Sequence, residues 1–303
     1  MQRQAVNLIP DEMPPPEYLG GLSRAVEAAL HKIENPERRK ILLWTLALEF
    51  YLNNMMEALP APYVPTVGFL HPATEGDRFG VILHNWGRPN GPIPRPREEE
   101  LMLPRSIYIR DHLFPVVVRR SAFIPHTNCH PYGGRGACFA REKDGTRNLL
   151  TCAHVIGGAH QIDLEDDYGK HLETGSVLTN AVSGIDAQVI KARLKFSTPL
   201  PAVNPIASYD NIIFEAGSGH RAGMVTSVTD TRGSLDRALP ARVLINCYGV
   251  GGDSGSPVIL GGGERKIVGL YMGYLQSATG VTEGVCQNAA QAAHVLDIEL
   301  FDR

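Results

Sequence analysis

The chain of 303 residues has little of what would mark it for a nucleic acid, a membrane or a disulfide framework. Lysine plus arginine number 29 against 32 acidic side chains, a formal net charge of −3. No basic block interrupts that balance, so neither a nucleic-acid nor an acidic-membrane partner has compositional support. Cysteine is scarce: there are five, an odd number without dense spacing, and none is grouped with histidine at metal-ligand intervals. A metal site therefore has no support. The opening stretch, Met1 to Glu12, lacks the apolar run of a secretory signal. Together with the thiols, this makes an intracellular, cytoplasmic protein the expectation. Long hydrophobic runs are missing too. The greasy Ile41-Leu42-Leu43-Trp44 stretch meets Glu49, Asn53, Asn54 and Glu57, well short of the ~20 apolar residues that a membrane span needs.

What is plentiful is glycine, 31, and proline, 22, which suits a turn-rich β protein better than a helical one. Residues 1–16 read as a proline-rich, acidic tail. Leu19, Leu22, Val26, Leu30 and Ile33 then recur at helical spacing. Asn35-Pro36-Glu37 supplies a cap, a first-turn proline and an acidic first turn, opening a second helix that runs to about Met56. These helices are expected to pack on each other or on the downstream domain; the sharper alternative is a docking or regulatory module for a partner protein. Residues 59–105 are broken by Pro60, Pro62, Pro65, Pro89, Pro92, Pro94 and Pro96, and a domain boundary is placed between 105 and 106. Beyond it, short apolar runs separated by turn residues predict strands at 114–118, 136–141, 147–152, 187–192, 211–215, 223–228, 242–247, 257–260 and 266–272. The stretch 289–300 reads as a terminal helix.

Two motifs carry chemistry. In Gly251-Gly252-Asp253-Ser254-Gly255-Ser256-Pro257, a serine sits among residues that permit a tight turn ahead of the strand-like Val258-Ile259-Leu260. The amides of Gly252 and Ser254 could there converge on one developing negative charge. A serine needs a base, and Leu149 to Val155 is a β-type run ending in Thr151-Cys152-Ala153-His154. On these two motifs the chain resembles the trypsin-like (chymotrypsin-fold) serine peptidases, especially their compact bacterial members. The resemblance covers residues 106–303. It implies a mainly β fold of two antiparallel, six-stranded-type β-barrels, here preceded by the small helical region 1–105.

The resemblance also implies site residues. His154 would be the base, Ser254 the nucleophile, and Gly252 with Ser254 the oxyanion hole. For the carboxylate, Asp186 in Gly184-Ile185-Asp186-Ala187 competes with Asp210 in Ser208-Tyr209-Asp210-Asn211. Asp186 leaves room for a full second barrel before Ser254; Asp210 does not, and reads as a turn residue. Asp253 would be buried and hold the oxyanion loop. Tyr248 would form the base of the primary pocket, with Tyr271, Met272, Gly273 and Tyr274 as the strand along which a protein or peptide substrate lies. Without an acidic residue at position 248, a small or apolar side chain is expected at the cleavage site. His160 and His294 stand alone and read as solvated or structural, and Gly261-Gly262-Gly263 as a hairpin turn. The family often bridges the neighbourhood of Cys138 and Cys152, which flank the Lys143-Asp144-Gly145 turn signal; a reducing compartment argues against a bridge here. The expected activity is that of a serine endopeptidase without metal or cofactor. The rival expectations are a catalytically silent peptide-binding module and a latent enzyme covered by its own N-terminal region.

Overall fold

The computed structural model describes residues 8–22, 24–55, 63–76, 78–125, 134–142, 147–165, 170–179, 181–192, 198–229 and 241–302. The turn signal at 143–145 lies outside them. Helix α1 (Arg24–His31) leads to α2 (Pro36–Met55). Asn35 Oδ1 accepts the Arg38 amide at 3.0 Å, which satisfies one of the donors left open at a helix start. Ile41, Leu42, Leu43, Trp44, Leu46 and Leu48 are all buried, so α2 is covered on most sides, as a helix apolar all round must be. Trp44 donates to the Glu12 carbonyl at 3.0 Å, so the N-terminal segment covers it from outside. Its ring meets Phe114 at 5.0 Å from inside. Among the described residues no helix is long and apolar enough to cross a membrane.

The chain continues as β1 (Tyr63–Phe69), the short α3 (Pro72–Glu75), β2 (Phe79–Trp86), β3 (Ser106–Ile109) and β4 (His112–Pro125). The proline-rich stretch was expected to form no long element, yet it contains β1 and β2. Pro65 is tolerated because β1 is paired to β2 along its whole length but to its other neighbour only at Val67 and Gly68. The amide that proline lacks is thus not needed at that edge. Helix α2 packs with Val67, Phe69, Phe79, Val81, Ile107 and Phe114 in one core cluster. The helices thus pack on the sheet, one of the two packings expected, and strands from both sides of position 105 share that sheet.

Two β units complete the chain; their strand pairs are antiparallel except β2 with β4 in the larger. The smaller holds β5 (Cys138–Glu142), β6 (Arg147–Thr151), β7 (Gln161–Glu165), β8 (His171–Val177), β9 (Gln188–Lys191) and, from the far end of the chain, β16 (Ile298–Phe301), with α4 (Ala153–Ile156) after β6. Its order is β16-β5-β6-β9-β8-β7. The larger adds β10 (Asn211–Ala216), β11 (Gly219–Val228), β12 (Arg242–Ile245), β13 (Pro257–Leu260), β14 (Ile267–Ser277) and β15 (Thr282–Asn288). Its order is β10-β13-β14-β15-β12-β11-β1-β2-β4-β3, and β10 also pairs with β11. Six of these strands are therefore hydrogen-bonded in a cycle. The fold is mainly β, as the motifs imply, but both units recruit strands from outside the expected set. The predicted terminal helix is half helix: α5 (Ala289–Leu296) gives way to β16 after Asp297, which takes a left-handed conformation at φ 56°.

A buried charge cluster ties β1–β4 to the rest. Arg119 on β4 reaches Glu75 with two bonds, one at 2.9 Å, and also Glu283 on β15. Thr226 donates to the same Glu283 at 2.7 Å. Burial opposes ionisation of Glu75, but the Arg119 guanidinium outweighs it and holds the carboxyl below its usual range. Breaking such a pair by removing one partner costs about 3–5 kcal/mol; Arg119→Met should show a loss of that order in urea unfolding. Glu75 contributes its stability above the unfolded carboxyl value of about 4.3 and loses it as pH falls through the lower folded value. Acid titration of thermal stability should therefore show a decline below that pH that shrinks in Arg119→Met.

Candidate active site

Strands β6 and β9 lie side by side with Thr151 opposite Gln188, so the segment after β6 and the segment before β9 emerge at one end of the smaller sheet. That places His154 on α4 beside Asp186. Asp186 Oδ1 accepts the His154 amide at 2.9 Å, and its Oδ2 lies 2.5 Å from His154 Nδ1. Both carboxylate oxygens are thus committed to one residue, which fixes the ring and favours a proton on Nδ1. The other ring nitrogen, Nε2, stands 2.9 Å from Ser254 Oγ. The Ser254 hydroxyl is also 2.8 Å from the Met272 carbonyl, so its single hydrogen has two acceptors within reach.

A second layer holds Asp186. Its amide donates to Gln287 Oε1 at 3.0 Å, and that oxygen also accepts from Arg242 Nη1 at 2.5 Å. Arg242 is buried and donates its Nη2 to the Gly184 carbonyl at 3.1 Å. Gln287 in turn donates to Gln291 at 3.0 Å. Burial pushes the Asp186 carboxyl up, but its bonds from His154 and the Arg242 charge prevail and leave it below the ordinary value. Sequence reasoning did not find Arg242, Gln287 or Gln291. Their only trace is polar side chains in otherwise apolar strand and helix positions.

Ser254 comes from the other sheet, on the turn between β12 and β13. Gly252 and Gly255 adopt φ 91° and 89°, a region open to glycine at little cost. Asp253 is 2 % exposed. It accepts from the Ser218 amide at 3.1 Å, the Ser218 hydroxyl at 2.6 Å and the Val250 amide at 2.8 Å. Burial raises its carboxyl, but these bonds and Arg221 bring it below the usual range. The expectation that Asp253 braces the loop is met. Among the described residues, the amides of Gly252 and Ser254 donate to no backbone carbonyl.

The two sheets meet at this turn. Arg135 donates its amide to the Ser254 carbonyl at 2.7 Å, and Thr151 Oγ1 donates to the Arg135 carbonyl at 2.6 Å. A Cβ on Gly255 would lie 1.9 Å from that carbonyl oxygen. The approach that carries Ser254 to His154 thus requires glycine at 255.

The remaining candidates fall elsewhere. Asp210 takes no part in the site. It binds Arg38 of α2 through both oxygens at 2.6 and 2.9 Å and caps the Ala207 amide at 2.9 Å. Tyr271 does not face a substrate: it is fully buried, and its hydroxyl accepts the Gly249 amide at 2.8 Å. Met272 contributes its carbonyl rather than its side chain. Tyr248, expected at the base of a recess, is 50 % exposed and has its ring 5.5 Å from that of Tyr274. The buried aromatic pair nearby is a different one, Tyr271 with Phe214, 4.4 Å apart. Gly273 is paired on both sides, to β15 and to β4. His160 and His294 are exposed, and Gly262 and Gly263 turn with positive φ. Cys138 and Cys152 are buried and are not joined by a disulfide. Cys152, His154 and Asp186 offer ligand-type atoms within 4.8 Å of one another, but burial holds the Cys152 thiol well above its ordinary value. A protonated thiol is a poor metal ligand.

The sequence matches no protein-family model and no curated protein. Solved structures similar to this one are serine proteases. A glutamic-acid-specific serine protease is 16 % identical, with 55 % of this chain covering 98 % of that one at a TM-score of 0.41. Nocardiopsis protease is 15 % identical over 56 % of this chain and 94 % of its own, at a TM-score of 0.41. Thermobifida fusca protease A is 13 % identical over 60 % and 99 %, at a TM-score of 0.43.

Gly255→Ala should displace the Ser254 turn. If that turn carries charge-stabilising amides, turnover falls on the order of 10²–10³, measured as kcat on a peptide ester. Asp253→Ala should lower kcat in the same way, measured on the same ester.

Proposed function

We propose that the chain is a serine endopeptidase acting through an acyl-enzyme intermediate. The observation that supports this best is the hydrogen-bonded series Asp186, His154, Ser254, set beside two backbone amides that no described backbone carbonyl uses. In the first step Ser254 Oγ attacks the scissile carbonyl carbon while His154 Nε2 takes the hydroxyl proton. The carbonyl oxygen gains the negative charge, and the amides of Gly252 and Ser254 stabilise it. His154 then gives its proton to the leaving amine, the peptide bond breaks, and an ester to Ser254 remains. Water repeats the sequence in the second half: His154 takes its proton, hydroxide adds to the ester, and Ser254 leaves with the proton returned to it. Asp186 stays ionised throughout and stabilises the imidazolium. The sequence of steps balances without metal or cofactor.

Neither Tyr248 nor Tyr274 is acidic, so these two residues offer no counter-charge for lysine or arginine. Small or apolar side chains are the expected preference; a positional peptide library showing strong selection for arginine would overturn it.

A fluorophosphonate probe should label the wild type at Ser254 and spare Ser254→Ala. Asp186→Asn should reduce kcat by about 10⁴, the size of effect known for this arrangement of groups. Asp210→Asn should leave kcat close to wild type while lowering stability through the lost Arg38 pairing. Labelling of the wild type at a residue other than Ser254 would remove the basis for the mechanism.

A further inference from the structure

Strand β14 has two edges. From Gly273 to Gln276 one edge is taken by β15. The other edge of this stretch lies directly beyond Met272, whose carbonyl is 2.8 Å from Ser254 Oγ. A peptide running in β conformation toward Ser254 has this edge to pair with. It is already occupied. Ser121, Ala122, Phe123, Ile124 and Pro125 of β4 stand antiparallel to Ser277, Gln276, Leu275, Tyr274 and Gly273, so β4 runs toward the nucleophile.

The hydrogen-bonding sense can be read from the opposite side. The Ser121 carbonyl accepts the Gly87 amide at 3.0 Å, and the Phe123 carbonyl accepts the Asn90 amide at 2.9 Å. Both therefore point away from β14. Alternation along a strand turns the polar groups of Ala122 and Ile124 toward Gln276 and Tyr274. This is how an added peptide strand attaches to a sheet edge, with main-chain bonds giving affinity.

This end of β4 is held by β14 on one edge and by two bonds from the loop after β2 on the other. Pairing with β2 ends at Ser121. Ala122, Phe123 and Ile124 are only partly buried, and Phe123 rests against Trp86 at a ring separation of 6.3 Å. No side chain from 122 to 124 is fully buried, and partly buried segments open at lower cost than core strands.

We propose that residues 121–125 occupy the substrate edge of the site, so that the full chain is latent toward extended peptides and acts on them when this end of β4 is displaced. The proposal rests on the hydrolytic reading above.

The test uses the full chain and two reagents. A small alkyl fluorophosphonate reaches Ser254 without pairing to β14; a chromogenic peptide of five residues must pair to be cleaved. Ile124→Pro removes the amide that β4 directs at Tyr274. The expected result is equal probe labelling in wild type and variant, with peptide kcat/KM at least tenfold higher in the variant. Equal labelling with equal peptide kcat/KM overturns the occlusion while leaving the hydrolytic reading in place. Absence of labelling in both overturns the hydrolytic reading, and the occlusion with it. If circular dichroism shows Ile124→Pro unfolded, Phe123→Ala takes its place: a rise in peptide kcat/KM at constant labelling supports the proposal, and no rise rejects it.

Discussion

The site depends on one close approach of two backbones. Ser254 and His154 belong to different sheets, and no sequence-local device can set the distance between them. It is set where the segment at Arg135 passes the turn at Gly255, with the Arg135 amide on the Ser254 carbonyl and Thr151 on the Arg135 carbonyl. Thr151 ends the strand that leads into α4, so the bonds that dock the nucleophile turn begin three residues before the base. Any relative shift of the sheets would be felt at this contact. A side chain at 255 would forbid it.

Charge is handled differently in the two halves. Around the candidate site, the buried positive group Arg242 touches Asp186 only through Gln287, so the carboxylate keeps both oxygens for His154. In the β1–β4 region, Arg119 is clamped directly between two carboxylates. The first arrangement leaves a charge available to stabilise an imidazolium; the second uses up all of its charge in joining strands. The Arg38–Asp210 pair does the same for α2 at the surface of the larger sheet.

The parts of this architecture visible in the sequence are those with local causes. Asn35-Pro36 announces a helix because caps are local. Gly252 to Pro257 announces a turn because the residues that permit positive φ are few. Asp186 is preferred over Asp210 by the order and spacing that the family resemblance implies, and it lies 2.5 Å from His154 Nδ1. Strands β7, β8 and β15 were missed since their apolar positions are sparse or interrupted by glycine, threonine and glutamine. Strand β1 is hidden by Pro65, harmless where only one edge is paired, a property of neighbours far away along the chain; β2 holds no proline itself and is hidden by the proline-rich stretches around it. The same holds for Tyr271: a tyrosine near the nucleophile reads as a substrate contact, and only packing against Phe214 and the Gly249 amide reveals a supporting role.

The place of β16 has a consequence for the order in which the molecule is made. Ile298–Phe301 pairs with β5 at Cys138–Glu142, and β5 is the neighbour of the strand leading to His154. The smaller sheet therefore stays one strand short until residues 298–301 have been made, since pairing across such a separation waits for its last partner. Until then the sheet that leads to His154 is unfinished.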